Sequence, residues 1–365
     1  MADGERRSWR RGRVETQFDR KGRTVRTIDL ETHFVTDEWV EAMYANQVYP
    51  RLADDPATGK RRLYYWPDAF EPNGDVLLNR LLDLGEARIG EMDAGGIDLA
   101  VVSLTSPGTD HFYPAIGTGL ARRCNDALAA AIDRYPGRLM GFAALAPKNA
   151  DEAAKELERC VKELGFKGWK THSNFGDSYI DEKRYWPILA KAQELDVPIY
   201  LHPVAPMIPQ LRTYGLALAG AAFGFGVETA TAMMRLVLSG VFDAFPKLRV
   251  ILGHYGEGLP FLMQRIDHPF VRPHIKASDP EAVPVLQHLP SHYLRENMLV
   301  TTSGNYLPAA FECTRATLGA DKILLATDYP YEEMGECMAF LEGLGLSCEE
   351  RSMLYQGNAV RLGLV

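Results

Sequence analysis

Six residues in this sequence carry metal-binding or proton-moving side chains at the ends of short apolar runs. They are Glu31 and His33 in ETHF, His172 in KTH, His202 in IYLH, His254 in VILGH and Asp328 in LLATD. Carboxylate oxygens and imidazole nitrogens are the usual ligands of catalytic divalent ions. Side chains alternate along an extended segment, so Glu31 and His33 share a face and Thr32 turns away. If that face lines a closed barrel, Glu31, His33, His202 and Asp328 converge on one ion from distant parts of the chain. Three or four protein ligands leave room for water or substrate, as catalytic metal sites do. One histidine so placed would read as a satisfied core residue; four groups at one level favour a metal. Two hard carboxylates suit Mn²⁺ or Mg²⁺ as well as Zn²⁺. They also acidify a bound water less than an all-histidine set, which weighs against purely hydrolytic chemistry.

The elements that must position these groups follow a regular order. Eight runs rich in Val, Ile or Leu span 24–34, 97–104, 138–145, 166–172, 197–202, 248–254, 297–303 and 322–328. Helical patterns separate them. DEAAKELERCVKELG has Asp151 as a cap and Gly165 as a stop, and GTGLARRCNDALAAAIDRYPGR and DEKRYWPILAKAQELD behave alike. Strands alternating with helices predict a parallel sheet covered by helices. Eight such units predict an α/β protein of the (β/α)8 TIM-like barrel type, with its chemistry at the carboxyl ends of the strands. An open doubly wound sheet would bring a Gly-rich phosphate turn after its first strand, and ETHF is not one. The barrel is expected over 27–365 as a single domain. Residues 35–96, with LYYWPDAF and LLNRLLDLGEARIGEMDAGG, form an insertion expected to act as a lid or dimer contact. Two further irregular stretches are 203–227 and 267–296. Residues 1–26 are Arg-rich and read as a basic surface arm.

Composition narrows the partners. The net charge of −8 opposes nucleic-acid binding. No run reaches the about 18 apolar residues a membrane-spanning helix needs. The five cysteines, Cys124, Cys160, Cys313, Cys337 and Cys348, are odd in number and lack CxxC spacing. With no secretory h-region, they predict reduced packing thiols and a cytoplasmic location.

The motifs in order carry a more specific resemblance. ETHF, LHP with His202, LGHYGE with His254 and Glu257, and ATDYP with Asp328 resemble the decarboxylase branch of the amidohydrolase superfamily. So do RLLDLGEARIGEMDAGGID, LTSPG with Thr105, ELGFKG, FGFGVET with Phe225 and Glu228, and LPFLMQRID with Arg265. The likeness runs from residue 27 to the end and takes in 5-carboxyvanillate, γ-resorcylate and 2,3-dihydroxybenzoate decarboxylases. Hydrolytic members usually begin with HxH; Glu31 in the first position is similar to the aromatic decarboxylases.

The resemblance implies one divalent ion, Mn²⁺ or Zn²⁺ with Mg²⁺ as a further candidate, held by Glu31, His202 and Asp328 with His33 as fourth ligand. It implies a small ortho-hydroxylated aromatic acid as substrate and a homodimer or homotetramer as the assembly. His254, Glu257 and Arg265 would line the substrate, and Glu228 would orient His254 or another polar group. Asp328 would protonate the ring carbon that bears the carboxylate, with His254 assisting. Phe34, Trp169, Phe225 and Tyr329 could form aromatic walls or pack in the core. Two features depart from the pattern. His172 stands where the relatives carry an amide or a small residue, and is expected to touch the substrate or cap its strand. Lys170 matches the place where binuclear members hold a carboxylated lysine. The competing function is a metal-dependent hydrolase of a lactone, amide or C–C bond, with Asp328 as the base.

Overall fold

A computed structural model of the chain describes residues 25–71, 74–278, 281 and 283–365. The expected basic arm lies outside the described residues except for Val25 and Arg26. The strands, in chain order, are β1 (Ile28–Phe34), β2 (Arg51–Asp54), β3 (Arg61–Trp66), β4 (Ala69–Phe70), β5 (Leu99–Leu104), β6 (Leu139–Gly141), β7 (Trp169–His172), β8 (Ile199–His202), β9 (Val250–Leu252), β10 (Met298–Thr301) and β11 (Ile323–Leu324).

Eight of them close into a ring. One parallel sheet runs β1-β5-β6 and another β11-β10-β9-β8-β7. Parallel bridges join Ala143 to Trp169 and Thr32 to Tyr329, linking the two sheets at both seams. Backbone bonds Leu30 N–H to Leu325 O and His33 N–H to Tyr329 O seal the second seam at 2.9 and 2.8 Å. The expected TIM-like barrel is therefore the fold, with β6 and β11 shorter than the apolar runs that contain them.

The barrel interior is a buried cluster with residues from six of its strands and from the 142 position. It includes Leu30, Val101, Phe142, Tyr200, Ile251, Leu299 and Leu324, joined by Ala359 and Leu364 near the chain end. Lys170, Tyr200, Ile251 and Leu299 are register partners along the sheet, and so form one inward layer. A larger cluster fills the space between strands and helices. Phe34 and Trp169 belong to it, each fully buried. Alternation explains this: each is an odd number of residues from an inward-facing neighbour, His33 or Lys170. Neither forms an aromatic wall of the site.

The helix expected around DEAAKELERCVKELG spans Ala150–Lys162. Asp151 lies in its first turn, where a carboxylate favours the helix dipole, and the cap position belongs to Asn149. The insertion holds the helix Asp37–Ala45, the antiparallel sheet β2-β3-β4 and the helices Gly74–Leu82 and Glu86–Gly95. Tyr65, Trp66 and Ala69 of that sheet pack on Leu211, Ala219 and Phe225, so the insertion and the 203–227 stretch share one small core. All five cysteines are free. Among the described residues no helix is long and apolar enough to cross a membrane.

Candidate metal centre and active site

Glu31, His33, His202 and Asp328 each present one ligand atom, and these atoms lie within 4.8 Å of one another. They come from the ends of β1 and β8 and from the turn after β11. An irregularity in β1 helps to aim them. The β1–β5 register advances three residues on β1, Asp29 to Thr32, against two on β5, Ala100 to Val102. That is a bulge of one extra residue. Strict alternation from inward Ile28 and Leu30 would have put Thr32 inside. The bulge instead turns Glu31 and His33 inward and leaves the Thr32 hydroxyl bonded to Val101 O at 3.1 Å.

The donor set fits a divalent cation. Glu31 is 1% exposed, and its buried Oε1 has no hydrogen-bond partner among the described residues. Its Oε2 accepts from the Ser303 and Thr301 hydroxyls. A buried, bare carboxylate oxygen is costly unless a positive group meets it. His202 Nδ1 is 2.8 Å from Pro203 O, so Nδ1 carries the proton and donates. Its Nε2 lone pair is thereby free, 3.5 Å from Glu31 Oε1. His33 Nε2 lies 2.8 Å from Asp328 Oδ1, and Lys170 Nζ lies 3.2 Å from His33 Nδ1. The direction of that second bond decides whether Nε2 offers a lone pair to an ion or a proton to Asp328. Lys170 also donates to Leu104 O at 2.8 Å, so its amine is tied to the wall. Burial pushes that amine down to about 7.

Asp328 binds a proton more readily than an ordinary carboxyl group. Burial, then the neighbouring Glu31 charge, raise its carboxyl to about 7. His254 Nε2 is 3.9 Å from Asp328 Oδ2, and His254 Nδ1 is 2.7 Å from Glu257 Oε1. Burial works against the charged His254 ring, but the Glu257 carboxylate and Asp328 outweigh it and hold the imidazole well above its ordinary range. His254, Tyr255, Glu257 and Asp328 all have positive φ, a conformation non-glycine residues adopt at a cost and often at functional sites.

Gly304 makes room for this pair. A Cβ there would meet His254 Cδ2 at 2.6 Å, and its φ is +66°. Gly304→Ala is therefore expected to lower turnover about tenfold or more by displacing the imidazole. Metal content should stay unchanged, and a variant with wild-type kcat would show that His254 has freedom to move.

The remaining predicted residues divide. Thr105 Oγ1 is 2.6 Å from the Tyr331 hydroxyl, and the Tyr331 ring stands edge-on to His33 at 5.6 Å. Both border a cavity of about 30 Å³ beneath the insertion, walled by Trp39, Leu52, Leu63 and Leu78. Phe225 is half-buried in the cover over the barrel, edge-on to Tyr65. His172 is in register with His202, but its Nδ1 is bonded to Asp110 at 2.8 Å and its Nε2 is buried without a partner. Its ring stands edge-on to that of His202, with centroids 5.7 Å apart. Glu228 accepts from Asn174 and Tyr179, both at 2.9 Å. Of the two partners expected for it, His254 or another polar group, the second is the one present, and Glu257 takes His254 Nδ1. Arg265 is exposed in the last turn of the helix Leu259–Ile266, beside His268 rather than among the converging ligands. Tyr329 is buried with the guanidinium groups of Arg80 and Arg88 over its ring at 4.7 and 5.1 Å.

Three residues in the site's support were not among those expected. Arg88 is fully buried and donates to His33 O at 2.6 Å. Asp110 Oδ2 accepts from Thr171, from the His172 backbone and from its ring. Tyr331 bonds Thr105. Arg88 lies inside the GEARIG stretch that carried the resemblance, yet no spacing marks it as a clamp on β1.

A closed eight-stranded barrel with two carboxylates and two histidines at its carboxyl end defines a metal-dependent enzyme scaffold. The amidohydrolase family matches residues 28–362, and this chain belongs to that family. It is 37% identical to the gamma-resorcylate decarboxylase of Polaromonas sp. strain JS666 over 344 residues, 92% of this chain and 97% of the relative. The crystal structure of 5-carboxyvanillate decarboxylase from Sphingomonas paucimobilis superposes with a TM-score of 0.82 at 31% identity, covering 93% of this chain and 98% of that one. A dihydroxybenzoic acid decarboxylase from Polaromonas sp. JS666, solved with manganese and the inhibitor 2-nitroresorcinol, gives 0.78 at 35% identity, covering 93% and 96%.

Proposed function

We propose that this chain is a metal-dependent, non-oxidative decarboxylase of an ortho-hydroxylated aromatic carboxylic acid. Glu31, His202 and Asp328 hold one divalent ion, manganese, with His33 completing the set. The observation that carries the reading is the convergence of two carboxylates, Glu31 and Asp328, and two histidines, His33 and His202, at the carboxyl end of the barrel, with their ligand atoms within 4.8 Å of one another. Its counterparts are relatives whose names are those of aromatic-acid decarboxylases.

When bound, the ion supplies a fixed positive charge that orients the acid's carboxylate and phenolic oxygens and offsets their charge. Asp328 delivers its proton to the ring carbon that bears the carboxylate. The C–C bond then breaks, its electron pair restores the aromatic ring, and CO₂ leaves. Asp328 is left ionised and regains a proton through His254, which Glu257 keeps charged. Thr105 and Tyr331 take the far side of the ring. The insertion, packed on the 203–227 stretch, serves as the lid that excludes water.

The enzyme acts in the cytoplasm as a homo-oligomer. Phe261 is 81% exposed and Val285 99%, with Leu262 and Val271 also open; apolar side chains exposed to this extent suit a second copy of the chain.

Manganese-loaded protein incubated with a panel of ortho-hydroxybenzoates should release CO₂ and, with bicarbonate, carboxylate the matching phenol. Silence across the panel combined with lactone hydrolysis would assign the site to hydrolysis instead.

A further inference from the structure

We propose that Asp29, which touches neither the ion site nor the substrate space, is the positioning residue that holds the two metal-binding carboxylates in register. The inference rests on the reading of Glu31 and Asp328 as ligands.

Asp29 is 0% exposed and lies at the start of the β1 bulge. Its Oδ1 accepts from the Glu31 backbone N–H and from the Thr327 backbone N–H, both at 3.0 Å. Its Oδ2 accepts from the Thr327 hydroxyl. One carboxylate therefore ties the backbone of the first ligand to the residue immediately before the last one. The Asp328 N–H donates to Glu31 O at 3.0 Å, so the two segments are joined twice at this level.

The need for such a tie follows from the bulge. An extra residue in a strand leaves backbone groups outside the ladder and admits a competing register. Slipping back by one residue would return Thr32 to the interior and turn Glu31 away from the axis. Oδ1 satisfies the Glu31 N–H only while the bulge persists. A buried carboxylate close to Glu31 is also unfavourable for folding in itself, by desolvation and by like charge. Three donors, one from β1 and two from Thr327 in the turn after β11, answer that cost.

The test measures Mn²⁺ affinity of the metal-free protein by titration calorimetry, alongside thermal melting. Asp29→Ala should weaken Mn²⁺ binding by about tenfold or more, the range seen when an outer-shell partner is lost. Asp29→Asn should stay within about threefold of wild type, because its amide oxygen can accept both backbone N–H groups while the Thr327 hydroxyl turns to accept from the amide. Thr327→Val keeps the fold, loses one of the three bonds and should fall between them. Leu299→Ala, in the interior layer but outside the tie, should lower the melting temperature and leave Mn²⁺ affinity unchanged.

Wild-type affinity in Asp29→Ala, or an equal loss of affinity in Leu299→Ala, overturns the proposal. So does Asp29→Asn behaving as Asp29→Ala, which would point to charge rather than hydrogen-bond geometry. If Asp29→Ala does not fold, unchanged affinity in Thr327→Val overturns it. Wild-type protein that binds no Mn²⁺ is a separate outcome: it removes the metal reading of the site and this inference with it.

Discussion

Asp328→Asn is expected to turn over the aromatic acid about a thousandfold more slowly than wild type, or worse, while still binding it. Asparagine keeps the shape and one oxygen for the ion, but it has no acidic proton to deliver. Positioned proton transfer contributes about a hundred- to ten-thousandfold in enzymes generally, so its loss alone accounts for an effect of this size. The loss should appear in kcat with KM little changed, since the missing interaction exists only on the way to the transition state. Binding is checked with a nitro analogue, whose nitro group mimics the departing carboxylate. The neighbours constrain the interpretation. His33 Nε2 lies 2.8 Å from Oδ1, and His254 Nε2 lies 3.9 Å from Oδ2. An asparagine is the same size and presents one oxygen to the same neighbours, so collapse of the site does not follow from the substitution. Turnover within tenfold of wild type would remove Asp328 as the proton source and shift the role to His254.

The residues that bear the chemistry were legible as a class because each sits where an apolar run stops. Runs, stops and residue types are local properties, and a closed eight-fold ring turns them into a common level. The sense of β1 was not legible. Alternation from Ile28 and Leu30 puts Thr32 inside, and alternation from His33 puts Glu31 inside; only the bulge reconciles them, and it is set by pairing with β5 and by Asp29. Phe34 and Trp169 show the opposite case. Their outward position follows from alternation beside His33 and Lys170, so of the two roles left open for them, aromatic wall or core packing, the strand pattern already selects the core. Glu228 was placed on the correct helix, but its partners Asn174 and Tyr179 come from the loop after β7, whose course no periodicity describes. Among the described residues no carboxylate bonds the buried Arg88 guanidinium, which is compensated by carbonyl oxygens of Asp83 and His33 and by the Tyr329 ring. Composition and hydropathy place such a residue on the surface.

Glu31→Gln separates metal binding from proton delivery. The Ser303 and Thr301 hydroxyls both donate to one oxygen of Glu31, so the amide oxygen of the variant is drawn to that side. Its NH₂ group is then turned toward His202 Nε2, which in wild type lies 3.5 Å from the bare Oε1. The substitution thus replaces a ligand oxygen with donors aimed at another ligand's lone pair. Loss of an inner ligand should exceed the tenfold to hundredfold effects of outer-shell changes, so Mn²⁺ affinity is expected to fall by at least about a hundredfold. Turnover should disappear at stoichiometric Mn²⁺ and return in part at high Mn²⁺, a recovery that Asp328→Asn cannot show. Stability should move the other way. Metal-free wild type carries a buried carboxylate oxygen with no partner, a cost of about 1–3 kcal/mol or more for a charged group. The glutamine removes that charge, so the metal-free variant should melt higher than metal-free wild type. Added Mn²⁺ should raise the melting temperature of wild type and barely that of the variant, because stabilisation by a ligand grows with its concentration relative to Kd. A variant that keeps tight stoichiometric Mn²⁺, or a metal-free melting temperature that falls, would mean that the bare oxygen of Glu31 does not await a cation.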